Sequence, residues 1–347
     1  MLKKYFFVTL IIFWNLIFSN FSIAQDKSVV VPKPELQVQR VAGLNVPFIV
    51  ALISDGEGGA WVGTEDEGVF HCKVDGTVSQ LSTKNGLGDN NSYALAIDKL
   101  GRLWIGHLNS GVSVFNGKDV KNYNVIDGPI GERIFDIEIC PKDGDVWMAT
   151  SAGITRYKID SDEWEHLTRG NNGLLEDQAS ALAFKNDGTL IVGTQCYGLA
   201  IFNRNAKDEY KLAKRIFAPN RFGPNNCSPI PLTPIGINLP SNQINDIIVT
   251  KNIESQTIWI ATSAGLVKSN DDFTKLEYWR GKDYANKLHG LYGGVPKGFK
   301  IAPKEILDKL LPEDYLTCLA EDDQGVIWIG TRQNGFFIAD SKTGVRT

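Results

Sequence analysis

Short runs of hydrophobic residues alternate with polar turns along most of the chain, and one such pattern recurs six times. In each copy an apolar run leads into a turn, usually rich in Asp and Gly, and then into a second run built around a large apolar residue. Short runs of this kind, rich in β-branched and aromatic residues and joined by a tight turn, are typical of a β-hairpin. The large residues of the second run are Trp61, Trp104, Trp147, Ile191, Trp259 and Trp328.

These six positions are 43, 43, 44, 68 and 69 residues apart. A period slightly above forty residues is the length of one four-stranded propeller blade. We therefore predict an all-β protein, a six-bladed β-propeller, with seven blades as the alternative. The recurring Trp is too large for the crowded centre of such a ring, so we expect it to pack between neighbouring blades.

Two of the intervals are too long for one blade and too short for two, which indicates two loop insertions, at about 205–240 and 281–311. The first is rich in proline, which withholds a ladder donor and favours irregular structure. The second contains a predicted short helix over Pro303–Leu311. Because the sequence ends soon after the third strand of the last copy, we expect Leu36–Val41 to supply the missing outer strand and close the ring.

The first 24 residues have the pattern of a signal peptide. Lys3 and Lys4 precede an apolar run, and Ser22 and Ala24 are small residues at the positions that a cleavage site requires. We therefore predict export of one propeller domain, residues 25–347, to the periplasm or the cell exterior. An uncleaved membrane anchor is the alternative, and no other segment is apolar enough to span a bilayer.

Charge and cysteine content exclude two further classes of site. The formal net charge is −4 and the basic residues form no stripe, which argues against a nucleic-acid partner. The five cysteines include no CxxC pair, which argues against a thiolate metal site. Cys196 and Cys227 are a candidate disulfide, because the first lies in a hairpin and the second in an insertion on the same predicted face.

The copies share one order, which is GlyLeu in three of them, a few polar residues, an apolar strand, a turn usually with Asp and Gly, and then a strand like TrpIleGlyThr followed by Gly. This order resembles the two-component regulator propeller repeat, over essentially the whole mature chain. In that family the repeats commonly form the extracytoplasmic sensor of hybrid histidine kinases that respond to glycans. The resemblance implies a sensor-type propeller. No Tyr-rich immunoglobulin-like module, transmembrane helix or kinase follows residue 347, so we expect a stand-alone member that signals only through a partner.

In propellers, the loops that enter the innermost strands and the hairpins between the second and third strands share one face. The repeat places amides, carboxylates, Arg and Tyr there, and such groups hydrogen-bond to a hydroxylated ligand and stack on it. A solvated set of loops without a ligand has a similar composition, and this is the alternative. The candidate ligand-binding residues are Asn91, Tyr93, His107, Arg133, Glu176, Tyr197, Asn242, Gln243, Tyr315 and Arg332.

His107 stands where the other five copies have Thr, and an imidazole at the mouth of a blade can act as an acid or base. The alternative is neutral drift at an exposed hairpin. The four histidines are scattered, and the sequence has no HExxH, GxSxG or phosphate-binding glycine motif.

We therefore predict a non-catalytic binding or sensing propeller that recognises a glycan or a protein partner of the envelope. The alternatives are a propeller enzyme, either a polysaccharide lyase or an ester or lactone hydrolase, and a scaffold for envelope assembly. We predict no cofactor, with Ca²⁺ held by carboxylates at the mouth as the alternative.

Overall fold

A computed structural model describes residues 41, 43–218, 235–251, 256–281, 310–340 and 344–346. These residues form six antiparallel sheets and one 3-10 turn, Thr83–Asn85. The innermost strands of consecutive sheets lie side by side, so the sheets are the six blades of a β-propeller. The predicted fold class is confirmed. The predicted signal peptide, residues 1–24, lies outside the described residues.

The first three blades are four-stranded meanders in which each strand pairs with the next one along the chain. Blade 1 contains β1 (Ile49–Ser54), β2 (Ala60–Thr64), β3 (Val69–Cys72) and β4 (Val78–Leu81). Blade 2 contains β5 (Ser92–Ile97), β6 (Leu103–His107), β7 (Val112–Phe115) and β8 (Val120–Tyr123). Blade 3 contains β9 (Ile134–Ile139), β10 (Val146–Thr150), β11 (Gly153–Lys158) and β12 (Glu163–Leu167).

The last three blades repeat this order, and blade 5 gains a fifth strand at its outer edge. Blade 4 contains β13 (Ala179–Phe184), β14 (Leu190–Thr194), β15 (Leu199–Arg204) and β16 (Tyr210–Ile216). Blade 5 contains β18 (Ile244–Val249), β19 (Ile258–Thr262), β20 (Gly265–Ser269), β21 (Leu276–Trp279) and the added strand β17 (Ile235–Gly236). Blade 6 contains β22 (Leu316–Glu321), β23 (Val326–Thr331), β24 (Phe336–Asp340) and β25 (Gly344–Arg346).

Two boundary predictions are corrected by this topology. The predicted insertion at 205–240 includes β16, the regular outer strand of blade 4, whose buried and exposed positions alternate as a half-buried edge strand requires. The second correction concerns blade 6, whose fourth strand is β25 at the C-terminal side, although we expected this blade to lack an outer strand of its own. The closing role of Leu36–Val41 stays a prediction. A three-residue strand was too short to recognise by its pattern. Residues 36–40 lie outside the described part of the chain, as does most of the predicted helix 303–311.

Five of the six anchor residues pack against the next blade as predicted, whereas Trp328 is half-buried and contacts Phe336 of its own blade. Trp104 is fully buried, and its ring centroid lies 5.0 Å from that of Tyr157 in the next blade. Trp147 is also fully buried and lies 4.6 Å from Tyr210 in the next blade. Burial of one such side chain contributes about 2 to 3 kcal/mol to stability. The repeated Trp is therefore a structural residue of the blade interfaces.

An ionic cluster joins blades 3 and 4 at the ends of their strands. The Arg156 side chain is 1% exposed, and its guanidinium lies 2.8 Å from Asp145 and 2.8 Å from Asp208 of the next blade. The same group lies over the Trp147 ring, 5.3 Å from its centroid. Because a buried guanidinium needs several acceptors, these contacts hold the two blades in one relative position.

Candidate binding site at the ring mouth

Every innermost strand has a β-bulge at its second residue, where the pairing with the next strand skips one position. A bulge increases the local twist and re-aims the extra side chain. The bulges therefore place one irregular residue of each blade close to the axis, at the end where the entering loops arrive. These six residues are Val50, Tyr93, Phe135, Ser180, Asn245 and Thr317.

Some bulged residues also connect neighbouring blades. Ser180 Oγ donates to the carbonyl oxygen of Ile244 at 2.6 Å, and Asn245 Nδ2 donates to the carbonyl oxygen of Leu316 at 2.6 Å. In both pairs the acceptor is the residue just before the bulge of the next blade. The mouth of the ring is thus held by side-chain bonds as well as by packing. Of the bulged residues, our sequence reasoning found Tyr93 alone, because the six share no residue type.

The hairpins after the anchor strands are held by a threonine in five of the six copies. In the copy that ends at Thr194, the hydroxyl donates to the carbonyl oxygen of Gly198 at 3.0 Å and accepts the N–H of Tyr197 at 2.9 Å. The corresponding threonines are Thr64, Thr150, Thr262 and Thr331. His107 is the exception, and its side chain is fully buried rather than exposed on the hairpin.

The His107 ring is the first member of a buried chain of polar groups. Its Nδ1 lies 3.1 Å from the carbonyl oxygen of Asn91, and its Nε2 lies 2.6 Å from Ser113 Oγ. Ser113 Oγ also lies 2.6 Å from Asn122 Oδ1 and accepts the N–H of Gly88 at 3.1 Å. Asn122 Nδ2 in turn donates to the carbonyl oxygen of Gly86, which fixes the orientation of the amide. The sequence signal for Ser113 was its polarity within the core strand ValSerValPhe.

A neutral His107 fits this chain when Nδ1 carries the proton. Nδ1 then donates to the Asn91 carbonyl oxygen, Nε2 accepts the Ser113 hydroxyl hydrogen, and the amide oxygen of the exposed Asn122 is left to solvent. Burial lowers the pKa of His107, and the Asn91 carbonyl and the Asp89 carboxylate counteract this effect. The chain therefore links the protonation of His107 to the loop that enters blade 2.

Three predicted residues from two blades meet beside the bulge of blade 6. Gln243 Nε2 donates to Tyr315 Oη at 3.0 Å, and the guanidinium of Arg332 lies over the Tyr315 ring, 5.2 Å from its centroid. The backbone N–H of Arg332 donates to the Tyr315 carbonyl oxygen at 3.1 Å. This group offers hydrogen-bond donors on a half-buried aromatic surface.

A second predicted pair lies around the bulge of blade 2. Burial and the charge of Glu65 raise the pKa of Tyr93, and the charge of Arg133 lowers it, so all three side chains share one neighbourhood. Arg133 is exposed, and Tyr93 is partly exposed. This neighbourhood therefore combines a phenol, a carboxylate and a guanidinium.

The remaining predicted residues mainly build the loops. Glu176 accepts the backbone N–H of Cys196 at 2.8 Å, and burial raises the pKa of its carboxyl. Asn242 is fully buried and accepts the N–H of Ala218 at 2.7 Å. Tyr197 packs against the core between blades 3 and 4. Asn91 contributes its carbonyl to His107, as described above.

A cavity of about 370 Å³ opens beside the hydrogen-bonded chain of His107, Ser113 and Asn122. It lies between the hairpin of blade 2 and the loop that enters blade 3. Asn109, Asn122 and Glu132 are among its lining residues.

No group of three or more His, Cys, Asp or Glu residues suited to a metal ion occurs in the described part of the chain. In the same part, no helix has the length and hydropathy of a membrane span.

Cys196, at the hairpin of blade 4, is disulfide-bonded, whereas Cys72, Cys140 and Cys318 are free thiols. The counterpart predicted from the sequence, Cys227, lies outside the described residues. The pairing of these two cysteines stays a prediction.

Comparison with known proteins agrees with this architecture. The chain is similar to the extracellular domain of a putative hybrid two-component system from B. thetaiotaomicron, with 18% identity and a TM-score of 0.53 over 86% of this chain and 32% of that one. It is also similar to an auxiliary nutrient binding protein from Bacteroides thetaiotaomicron, with 9% identity and a TM-score of 0.57 over 84% of this chain and 68% of that one.

A third similar structure is PorZ, a surface component of the type-IX secretion system of Porphyromonas gingivalis, with 17% identity and a TM-score of 0.54 over 83% of this chain and 38% of that one. The chain thus spans about a third of the length of the sensor domain and of PorZ. No curated protein sequence matches it. Residues 86–109 and 310–333 match the Two component regulator propeller family. These matches fall on blades 2 and 6, and we conclude that the chain is a β-propeller in which one segment of each of these two blades matches the two-component regulator propeller family.

Proposed function

We propose that this protein is an exported, non-catalytic binding propeller that holds a glycan at the mouth of its ring. The observation that carries the proposal is the Gln243, Tyr315 and Arg332 group, which presents an aromatic ring and hydrogen-bond donors from two blades. Its neighbours on the ring, Asn245 and Thr317, add amide and hydroxyl groups. Such a mixture suits a hydroxylated ligand with one partly apolar face.

The histidine at this face supports binding over catalysis. His107 and Ser113 are both fully buried, so neither presents a reactive atom to a ligand. A general base or nucleophile must reach the reacting atom directly or through one water. The likeness to an auxiliary nutrient binding protein and to extracellular sensor domains supports the fold and is consistent with export.

Glycan binding is tested by titrating the purified mature protein with a panel of oligosaccharides in a calorimeter, followed by mass spectrometry of the recovered ligands. We expect saturable binding to at least one oligosaccharide and recovery of that ligand without cleavage or elimination. Cleaved or unsaturated products would show that the propeller is an enzyme.

A protein partner is the second candidate, and it rests on exposed apolar residues. Phe217, Ile235 and Ile237 are 36%, 43% and 76% exposed, and in the sequence they stand on either side of 219–234. Exposed apolar residues can mark a protein contact when they form a patch. Replacement of all three by Ser should then abolish capture of envelope proteins while leaving glycan binding unchanged. If the wild type and the triple Ser variant capture envelope proteins equally, this candidate is wrong.

A further inference from the structure

The position of Arg332 is fixed by the turn that carries it. Thr331 Oγ1 donates to the carbonyl oxygen of Gly335 at 2.9 Å and closes the hairpin. Glu313, 4% exposed, accepts two backbone N–H groups, from Gln333 at 2.9 Å and from Asn334 at 3.2 Å, and also the Asn334 side-chain amide at 3.0 Å. These bonds occupy the Glu313 carboxylate and hold the backbone next to Arg332.

The side chain of Arg332 is exposed but oriented. Tyr315 lies beneath its guanidinium, and Tyr315 is itself held by Gln243 from the neighbouring blade. Within the described residues, no carboxylate lies within ion-pair distance of Arg332. Arg156, Arg204 and Arg280, by contrast, each have a carboxylate partner. Arg332 is therefore a positive charge at the mouth of the ring with an ordered position and no ion-pair partner among the described residues.

Tyr315 and Arg332 both offer hydrogen-bond donors to a ligand. The Tyr315 oxygen accepts from Gln243, which leaves the phenol hydrogen free to donate, and no described residue accepts a hydrogen bond from the Arg332 guanidinium. A planar guanidinium matches a carboxylate in two parallel hydrogen bonds, and charge-assisted bonds of this type are about twice as strong as neutral ones. A neutral hydroxyl would use only part of this capacity.

We infer that the glycan is acidic and that Arg332, with Tyr315, binds the carboxylate of a uronic acid residue. This inference rests on the proposed function and adds the chemical class of the ligand. The site is placed beside blade 6 because the Tyr315 ring lies beneath the Arg332 guanidinium and orients it. Glu313 is a positioning residue for Arg332.

The test uses pectate, alginate and hyaluronan as probes, together with the same polymers after chemical reduction of their carboxylates to alcohols, and a set of neutral glucans and xylans. Reduction removes the charge and leaves the sugar backbone in place. Binding of the mature protein is measured by calorimetry or biolayer interferometry at low and moderate salt. We expect at least one acidic polymer to bind, and its reduced form to bind at least tenfold more weakly.

The variants Arg332→Gln, Arg332→Lys and Tyr315→Phe are compared with Arg215→Gln. Arg215 is exposed on the outer strand β16, so its replacement makes the same change of charge away from the mouth. We expect about a tenfold or larger loss of affinity for Arg332→Gln, a smaller loss for Arg332→Lys, which keeps the charge but not the paired donors, and no change for Arg215→Gln. Equal losses for the two Gln variants would overturn the inference.

The outcomes separate the two proposals. Equal binding of acidic and reduced polymers, or binding to neutral polymers alone, overturns the acidic ligand and leaves a glycan-binding propeller. Absence of binding to every polymer in the panel overturns both. If the protein binds an acidic polymer and Arg332→Gln does not weaken that binding, the carboxylate is bound elsewhere. This outcome overturns the assignment of Arg332.

Discussion

His107 Nε2 lies 2.6 Å from Ser113 Oγ in the interior of blade 2. Threonine holds the hairpin at this position in the other blades, and the histidine instead reaches across to the next strand and to the loop before Tyr93. The substitution exchanges a local turn contact for a connection between the core and the ring mouth.

Truncation of this histidine should destabilise the protein. His107→Ala removes a buried ring and leaves Ser113 and the Asn91 carbonyl with fewer partners, which should cost about 2 to 4 kcal/mol of unfolding free energy. His107→Thr restores the hydroxyl of the other repeats and should cost about 1 kcal/mol less than the Ala variant. Urea denaturation followed by tryptophan fluorescence measures both. Equal stability of the two variants would contradict the role of the hydroxyl.

The same residue should make stability depend on pH. Because burial lowers the pKa of His107 in the folded protein, the unfolded chain binds a proton at higher pH than the folded chain does. The unfolding free energy should therefore fall as the pH decreases from about 6.5, the ordinary histidine value, through the lower folded value. Urea midpoints at pH 7.5 and 5.5 should differ more for the wild type than for His107→Thr. His166, whose pKa burial also lowers, is retained in both proteins and cancels in this comparison.

Removal of the ionic cluster between blades 3 and 4 should be costly. Arg156→Met keeps much of the side-chain volume but leaves the buried Asp145 without its counter-charge, while Asp208 keeps Arg204 at 2.6 Å, so we expect a loss of about 3 kcal/mol. Lys211→Gln is the control, because its contact with Glu209 is exposed and contributes little. Chemical denaturation at pH 7 measures both losses. A loss for Arg156→Met as small as that of the control would show that the cluster is not stabilising.

Two glycines of blade 2 provide a matched pair. Gly101 and Gly111 both have positive φ, +76° and +67°, but a Cβ on Gly101 meets nothing within 4 Å, whereas one on Gly111 meets the carbonyl oxygen of Tyr123. Gly101→Ala should cost about 1 kcal/mol, the conformational penalty alone. Gly111→Ala should cost clearly more, because the hairpin must also move away from β8. Thermal melts of the two variants should differ by several degrees.

The cysteine assignment is tested by counting thiols. In denaturant without reductant, alkylation should modify three cysteines, Cys72, Cys140 and Cys318, and after reduction it should modify all five. Peptide mapping should then show Cys196 joined to Cys227. A cross-link of this kind typically contributes about 2 to 4 kcal/mol, so Cys227→Ser should lower the unfolding midpoint under oxidising conditions only. Modification of five cysteines without reduction would exclude the disulfide.

Much of the fold could be predicted because the repeat encodes local structure. The anchor Trp, the turn glycines and the hairpin period depend on residues close together in sequence, and six copies of one pattern leave little ambiguity about the blade. The fourth strand of the last blade was missed, because Gly344–Arg346 is too short to carry a recognisable pattern. The outer strand of blade 4 was assigned to an insertion for a similar reason, since the proline-rich segment that follows it obscured its boundary.

The sequence by itself therefore determined the blade, the number of blades and the face on which loops gather. Only the tertiary structure decided which side chains meet there. Gln243 reaches Tyr315 and Ser113 reaches His107 because of strand bulges and blade spacing, and these depend on packing between elements far apart in the chain. Glu176 and Asn242 are residue types common in binding sites, but their side chains accept hydrogen bonds from backbone N–H groups. These contacts also depend on the packing between distant elements. Local contacts repeat with the sequence, whereas contacts between blades are set by the geometry of the ring.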